Sequence, residues 1–225
     1  MNIPILYEDN HLLIVEKPVN IPVQEDNSKD ADLLTILKQD LKVRYQKPGN
    51  VFLALVHRLD RPVGGAIVFG KTSKAASRLS DMIRRHTIDR EYLTVVHGRP
   101  KQKKAKLEHY LLKDNRKNKV SVESAKHPNA KKAILEYEVI DSKEGLSLLR
   151  VKLHTGRSHQ IRVQLSTIGH PIYGDQKYGQ KLNQPGQQIA LWAHTLSFEH
   201  PVRKEPLSVK SAPPETFPWD LWRFM

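Results

Sequence analysis

The chain contains no cysteine. Disulfides, thiolate nucleophiles and cysteine-ligated zinc are thereby excluded. No apolar stretch approaches the ~18 residues needed to cross a bilayer. The first ten residues, Met1 to Asn10, lack the basic start and long apolar core of a signal peptide. The expected location is cytoplasmic, with no membrane contact. H-E-x-x-H, P-loop and G-x-G-x-x-G patterns are absent. Histidines are plentiful, but His57, His154, His159, His170, His194 and His200 show no ligand spacing. No metal and no cofactor are expected. Internal repeats and linkers long enough to separate domains are also missing. One domain over residues 1–225 is the expectation, and a chain of this length can bury roughly 70–75% of its unfolded surface.

Acidic residues are in short supply. There are 24 Asp and Glu against 37 Lys and Arg, a net charge of +13. The surplus is concentrated. Residues 99–132 hold twelve Lys or Arg and three acids, or +9 of the +13. A polyanion is the natural partner, because neutralised phosphates release counterions. A solvated loop kept basic for solubility is the plain alternative.

Hydrophobic patterning indicates an α+β protein with one mixed, mainly antiparallel sheet and flanking helices. Strands are read at 3–7 and 11–16, with Lys17-Pro18 closing the second. Asp30 or Asp32 caps a helix carrying Leu33, Leu34, Leu37 and Leu41. Val51–Val56 reads as a buried strand, and Ala66–Phe69 as another. Thr72 or Ser73 caps a helix through Arg85. Further strands are expected at 91–96, 120–122, 133–140, 146–153, 189–198 and 207–210. Ser158 opens an amphipathic helix to Thr167, and residues 215–224 form a terminal helix. Trp192, Trp219 and Trp222 are read as core.

Between two apolar runs lies His57-Arg58-Leu59-Asp60-Arg61-Pro62-Val63-Gly64-Gly65. A single carboxylate stands there between two arginines, just before a turn. Such neighbours hold an acid ionised, which suits a nucleophile or base. A second cluster is Leu153-His154-Thr155-Gly156-Arg157-Ser158-His159-Gln160-Ile161-Arg162. It reads as strand, tight turn and helix start. Backbone N–H groups at that start, with Arg157, could seat a phosphate. Ordinary surface ion pairs and a solvated helix face would produce similar strings.

Both strings resemble signatures of the RluA-type RNA pseudouridine synthases, H-R-L-D-x-x-x-S/T-G and L-x-T-G-R-x-H-Q-I-R. Position 64 is Gly where the family usually has Ser or Thr. Gly169-His170-Pro171-Ile172-Tyr173-Gly174-Asp175 and Tyr178-Gly179 also match, and are read as turn formers. Arg90-Glu91-Tyr92 resembles the family's K/R-x-Y segment. Residues 6–18 resemble the start of its catalytic domain. The likeness runs from about residue 5 to 212. It implies the catalytic domain alone, without the extra N-terminal RNA-binding domain of many relatives.

By this resemblance the protein isomerises uridines of ribosomal or transfer RNA to pseudouridine. Asp60 is then the catalytic carboxylate, Arg162 its partner, and Tyr92 the residue against the base. Arg58 fills the gap left by a flipped base. His57, Arg61, Arg157, His159, Gln160, Ile161, Lys101, Lys103 and Lys104 are the further RNA-binding candidates. RNA is the implied partner of a monomer, and no protein partner is implied. A non-catalytic RNA-binding protein would share the basic segment, but has no need of Asp60, Tyr92 and Arg162 together. A paired-carboxylate hydrolase needs a second acid that no motif supplies. Since Arg offers a carboxylate two parallel hydrogen bonds, Arg162→Lys is expected to cost turnover with little loss of stability.

Overall fold

The computed structural model describes residues 2–26 and 28–222. The chain divides into two compact units. The first comprises residues 1–90 and 193–212, and the second residues 91–192 and 213–225.

In the first unit the strands are β1 (Ile5–Glu8), β2 (Leu12–Lys17), β3 (Ala54–Leu55), β4 (Gly64–Gly70), β10 (Leu191–Glu199) and β11 (Pro206–Lys210). Their order is β1-β2-β4-β10, with β3 beside β4 and β11 beside β10. The β1–β2, β2–β4, β3–β4 and β10–β11 pairings are antiparallel. Asp9 closes the first hairpin, its carboxylate accepting the N–H groups of His11 and Leu12 at 2.7 Å each. Helices α1 (Leu33–Arg44) and α2 (Ser73–Arg84) begin where capping chemistry places them. Asp32 accepts from Thr35 N–H and Thr72 from Ala75 N–H. Leu12, Ile14, Ala66, Val68, Ala75, Leu79 and Ile88 form the apolar core of this unit with Leu196 and Phe198.

The second unit orders its strands β5-β9-β8-β6-β7. These are β5 (Asp89–His97), β6 (Lys104–Asp114), β7 (Lys119–Glu123), β8 (Lys131–Lys143) and β9 (Leu146–Leu153). Neighbours pair antiparallel throughout. Helix α3 (Gln160–Thr167) packs through Val163 with Leu111, Val120 and Ala133.

The α+β class and the mainly antiparallel pairing stand as expected. Four local readings change. Val51–Val56 supplies only the two-residue β3, and Phe52 is exposed. β6 occupies the segment read as a basic loop. α3 is buried at every residue from Gln160 to Leu165, so it has no solvated face over that stretch. The terminal helix is a single 3-10 turn, Trp219–Leu221, and residues 223 and 224 lie outside the described residues.

Candidate active site

The first unit presents His57, Arg58, Asp60 and Arg61 on the loop from β3 to β4. A turn shapes its end, with Val63 N–H donating to the Asp60 carbonyl at 3.0 Å. Gly65 anchors the loop to the sheet. Its φ of +110° and a would-be Cβ 2.3 Å from the Ala193 oxygen exclude any side chain there. Arg58 is exposed and Asp60 half-buried.

Beneath the loop lies Lys17, the last residue of β2, which is completely buried. Its Nζ donates to the carbonyls of Pro18 (2.8 Å), Ile21 (2.8 Å) and Arg61 (2.9 Å). Three acceptors match the three N–H bonds of an ammonium. Burial pushes its pKa down to about 7, while the charge of Asp60 raises it and that of Arg61 lowers it. A buried cation under the candidate carboxylate was not apparent from sequence, where Lys17 reads as a strand end. The only local signal is a lysine two residues beyond Val15, in phase with Leu13 and Val15 along the strand.

Arg61 is turned to the 20–30 loop. It donates to the Asp30 carboxylate, to Ser28 Oγ (2.9 Å) and to the Asn20 carbonyl (3.2 Å). Its charge is therefore shared with Asp30, and the picture of two equivalent arginines guarding Asp60 does not hold.

His57 fastens the loop to β4, its Nε2 accepting the Val68 N–H at 3.2 Å. Part of the residue is accessible, but Nδ1 is sealed from water. Burial, aided by the charge of Arg90, pushes its pKa down to about 3. The ring is neutral at physiological pH. Between pH 6.5 and about 3 the unfolded chain binds a proton that the folded chain refuses, so stability contributed by His57 is lost as pH falls through that window. Ring ¹⁵N spectra should show His57 neutral from pH 5 to 8. A midpoint near 6.5 would contradict this placement.

The second unit carries Tyr92, Arg157, His159, Gln160, Ile161 and Arg162. Tyr92 is buried on β5, opposite Val151 of β9. Arg162 holds Asp175 in a bidentate pair, Nε to Oδ2 and Nη2 to Oδ1, both 2.8 Å. The pair is almost wholly buried, with side-chain exposures of 7% and 0%, so water screens it little. Burial alone would raise the Asp175 carboxyl. The Arg162 bond and charge and the N–H groups of Lys177 and Tyr178 hold it below the usual carboxylate range. The Arg162 guanidinium also lies over the Tyr178 ring, 5.3 Å from its centroid. Asp175 is thus a buried partner of Arg162 that the sequence disguised as part of a turn. Arg162→Lys must cost stability as well, contrary to expectation, because a lysine cannot reproduce the bidentate bond.

Gln160 and Ile161 are buried. Gln160 Oε1 accepts from the Thr155 hydroxyl (2.7 Å) and Arg157 N–H (3.0 Å), and its Nε2 donates to the Ile134 carbonyl (3.0 Å). These bonds tie the Thr-Gly-Arg turn to β8. His159 takes a left-handed conformation, φ 51°, and its Nδ1 is 2.7 Å from the Tyr178 hydroxyl. Tyr178 also accepts the Val120 N–H at 2.8 Å. Arg157 is exposed, with its Nε on the Lys132 carbonyl at 3.0 Å.

The basic segment is less uniformly cationic than its composition suggests. Lys104 pairs with Glu138 at 3.0 Å, and Lys132 with Glu108 at 2.6 Å. Lys106 stands opposite Glu136 across the β6–β8 ladder. Lys101 and Lys103 lie outside the ladder, exposed, and line with Arg99 a cleft of about 290 Å³.

The family model for RNA pseudouridylate synthases matches residues 11–167. YhcT of Bacillus subtilis, named as an uncharacterised RNA pseudouridine synthase, is 35% identical over 96% of this chain and 69% of its own length. The ribosomal large subunit pseudouridine synthase C of Buchnera aphidicola is 30% identical over 92% of this chain and 66% of its own. Among solved structures, human RNA pseudouridylate synthase domain containing 4 superposes with a TM-score of 0.81 at 22% identity. The match covers 97% of this chain and 91% of the human one, and shows a shared fold. The chain belongs to the RNA pseudouridine synthase family, isomerases that act on RNA.

Proposed function

We propose that this chain converts specific uridines of ribosomal or transfer RNA to pseudouridine, with Asp60 as the catalytic carboxylate. Both units act as one catalytic domain over residues 1–225, in a cytoplasmic monomer. The observation that carries the reading is the Asp60 turn seated over a buried ammonium, Lys17, within the family motif. The charges of Lys17 and Asp60 attract one another, and attack on sugar or base, or removal of a ribose proton, each uses a carboxylate.

The reaction breaks the bond from N1 to the ribose, turns the uracil and forms a bond from C5 to the same ribose carbon; C5 gives up its hydrogen and N1 takes a proton, so no co-substrate is consumed. A uridine inside structured RNA must first be flipped out. Exposed Arg58 fills the vacated space, Tyr92 packs on the base, and Arg162 serves the same reaction. Asp175 holds the Arg162 guanidinium in its plane. The name of the Buchnera relative makes large-subunit ribosomal RNA the first substrate to test. Mapping pseudouridine across all RNAs of a deletion strain would identify the target. Loss of no pseudouridine at any position would count against the proposal.

Lys101 and Lys103 supply RNA affinity, and Lys104 contributes less because Glu138 already holds it. Neutralising Lys101 and Lys103 together should reduce the slope of log affinity against log salt by about 1.5–2, at nearly one unit per phosphate contact. The Lys104, Lys106 pair should reduce it far less. Equal effects from both pairs would show that the glutamates do not hold these lysines when RNA binds.

A further inference from the structure

An acid stands among the cations of the basic cleft. Asp141 lines it together with Arg99, Lys101 and Lys103, all within the second unit. All four residues are exposed, the Asp141 side chain by 47%. Among the described residues none of the three cations forms an ion pair.

The backbone builds this place. β8 carries a bulge between Val139 and Asp141, so the ladder to β9 skips Ile140. A bulge re-aims the side chains around it. Val139 N–H donates to the Lys103 carbonyl at 2.7 Å, which ties the segment before β6 to the bulge. Exposed Ile140 also lines the cleft and adds an apolar surface.

Asp141 is fixed in position and keeps capacity to spare. Its Oδ1 accepts the Ser142 N–H at 2.8 Å, and its Oδ2 the Trp222 indole N–H at 3.1 Å. The Ser142 bond, with the Trp222 bond and the Lys143 charge, holds its carboxyl below the usual carboxylate range. Lys143 Nζ is 3.7 Å from Oδ2, too far for a hydrogen bond. A carboxylate oxygen has two acceptor positions, so each of the two keeps one.

Two chemistries therefore meet in one cleft. Three cations suit a phosphate. A carboxylate repels a phosphate and suits a pair of N–H donors. A bare anion satisfies only the first, while a nucleotide satisfies both. Of the four RNA bases, guanine alone carries N–H donors on two neighbouring atoms, the ring N1 and the exocyclic N2. The cleft, about 290 Å³, lies at the small end for ligand sites, about 300 Å³ and upward.

We propose that this cleft binds one unpaired guanosine nucleotide of the substrate RNA, its base edge on Asp141 and its phosphate on Arg99, Lys101 and Lys103. This nucleotide is held in addition to the uridine that is isomerised. The proposal deepens the reading of the chain as an RNA-modifying enzyme and rests on it. Phosphate contacts position an RNA and base contacts specify it, so Asp141 gives the basic segment a sequence preference.

Trp222 is the reporter, because its indole N–H is bonded to Asp141. In the full chain labelled with ¹⁵N-tryptophan, guanosine 5′-monophosphate should move the Trp222 indole signal and leave that of Trp192 in place. The adenosine, cytidine and uridine monophosphates should need about tenfold higher concentration or more, the scale of a lost charge-assisted bond. Guanosine and inorganic phosphate should each be weaker than the guanosine nucleotide. An unmoved Trp222 signal would overturn the proposal. Equal midpoints for guanosine and adenosine monophosphates would remove Asp141 from base recognition, and equal midpoints for inorganic phosphate would leave a simple anion site. Either result would also overturn it.

Asp141→Asn keeps the shape and exchanges an acceptor for an N–H donor. The variant should lose its preference for the guanosine nucleotide and take xanthosine 5′-monophosphate, whose carbonyl replaces the amino group of guanine. On unmodified bulk RNA it should raise KM about tenfold, with kcat changed little. Attraction by net charge alone predicts the reverse, since the substitution removes a negative charge beside three cations. An unchanged or lowered KM would contradict the proposal. If the guanosine nucleotide moves Trp222 while the wild-type protein forms no pseudouridine, the cleft assignment survives and the enzymatic reading fails.

Discussion

Asp60→Asn should fold normally, bind RNA and form no pseudouridine. The amide has nearly the shape of the carboxylate and suits the same turn, whose closing bond uses the main-chain oxygen of residue 60. What it lacks is negative charge and basicity. Removing an essential nucleophile or base costs at least about 10⁴-fold in turnover. Lys17 provides an internal control. The charge of Asp60 supports its proton against burial, so Lys17 in Asp60→Asn should titrate below about 7, the wild-type value. ¹⁵N spectra of labelled lysine would read this. Turnover within tenfold of wild type would remove Asp60 from the chemistry.

The second large effect concerns the Arg162–Asp175 pair. Asp175→Ala leaves a guanidinium buried with one charged partner gone, which costs about 3–5 kcal/mol. For a chain of this size the melting temperature should fall by about 10 °C or more. Removing both charges is different. Buried pairs replaced by apolar residues of similar volume are often neutral in stability. Arg162→Met with Asp175→Leu should therefore regain most of the lost stability and still form no pseudouridine. Stability measured by denaturant and turnover measured on the same preparations separate the two roles. Turnover restored along with stability would show that Arg162 is needed only for folding.

The parts of this protein legible in its sequence are those written locally. The Asp60 turn and the Thr-Gly-Arg turn are short strings whose residue types fix their geometry, so both were located to the residue. Capped helices α1 and α2 are also local, since capping chemistry narrowed their starts to Asp30 or Asp32 and to Thr72 or Ser73, and Asp32 and Thr72 are the caps. β6 was hidden because Lys104, Lys106 and Glu108 carry its outer face, and long charged chains there look like loop composition. Its alternation becomes visible only with β8 beside it. Lys17 and Asp175 were missed for the opposite reason. A charged residue is assigned to the surface by default, and their burial depends on partners 44 and 13 residues away in sequence. The two units escaped notice because the first is assembled from residues 1–90 and 193–212. Such a division leaves no linker at which composition could change.

Isomerisation at C5 expels the hydrogen carried there, and no other reaction considered for this chain does so. The direct measurement is tritium release from 5-tritiated uridine in bulk RNA made without modification, incubated with the wild-type protein. Release should plateau at a small fixed number of uridines per RNA, and pseudouridine should appear in equal amount. Tight RNA binding with no release above the Asp60→Asn background would contradict the account and leave a non-catalytic RNA-binding protein.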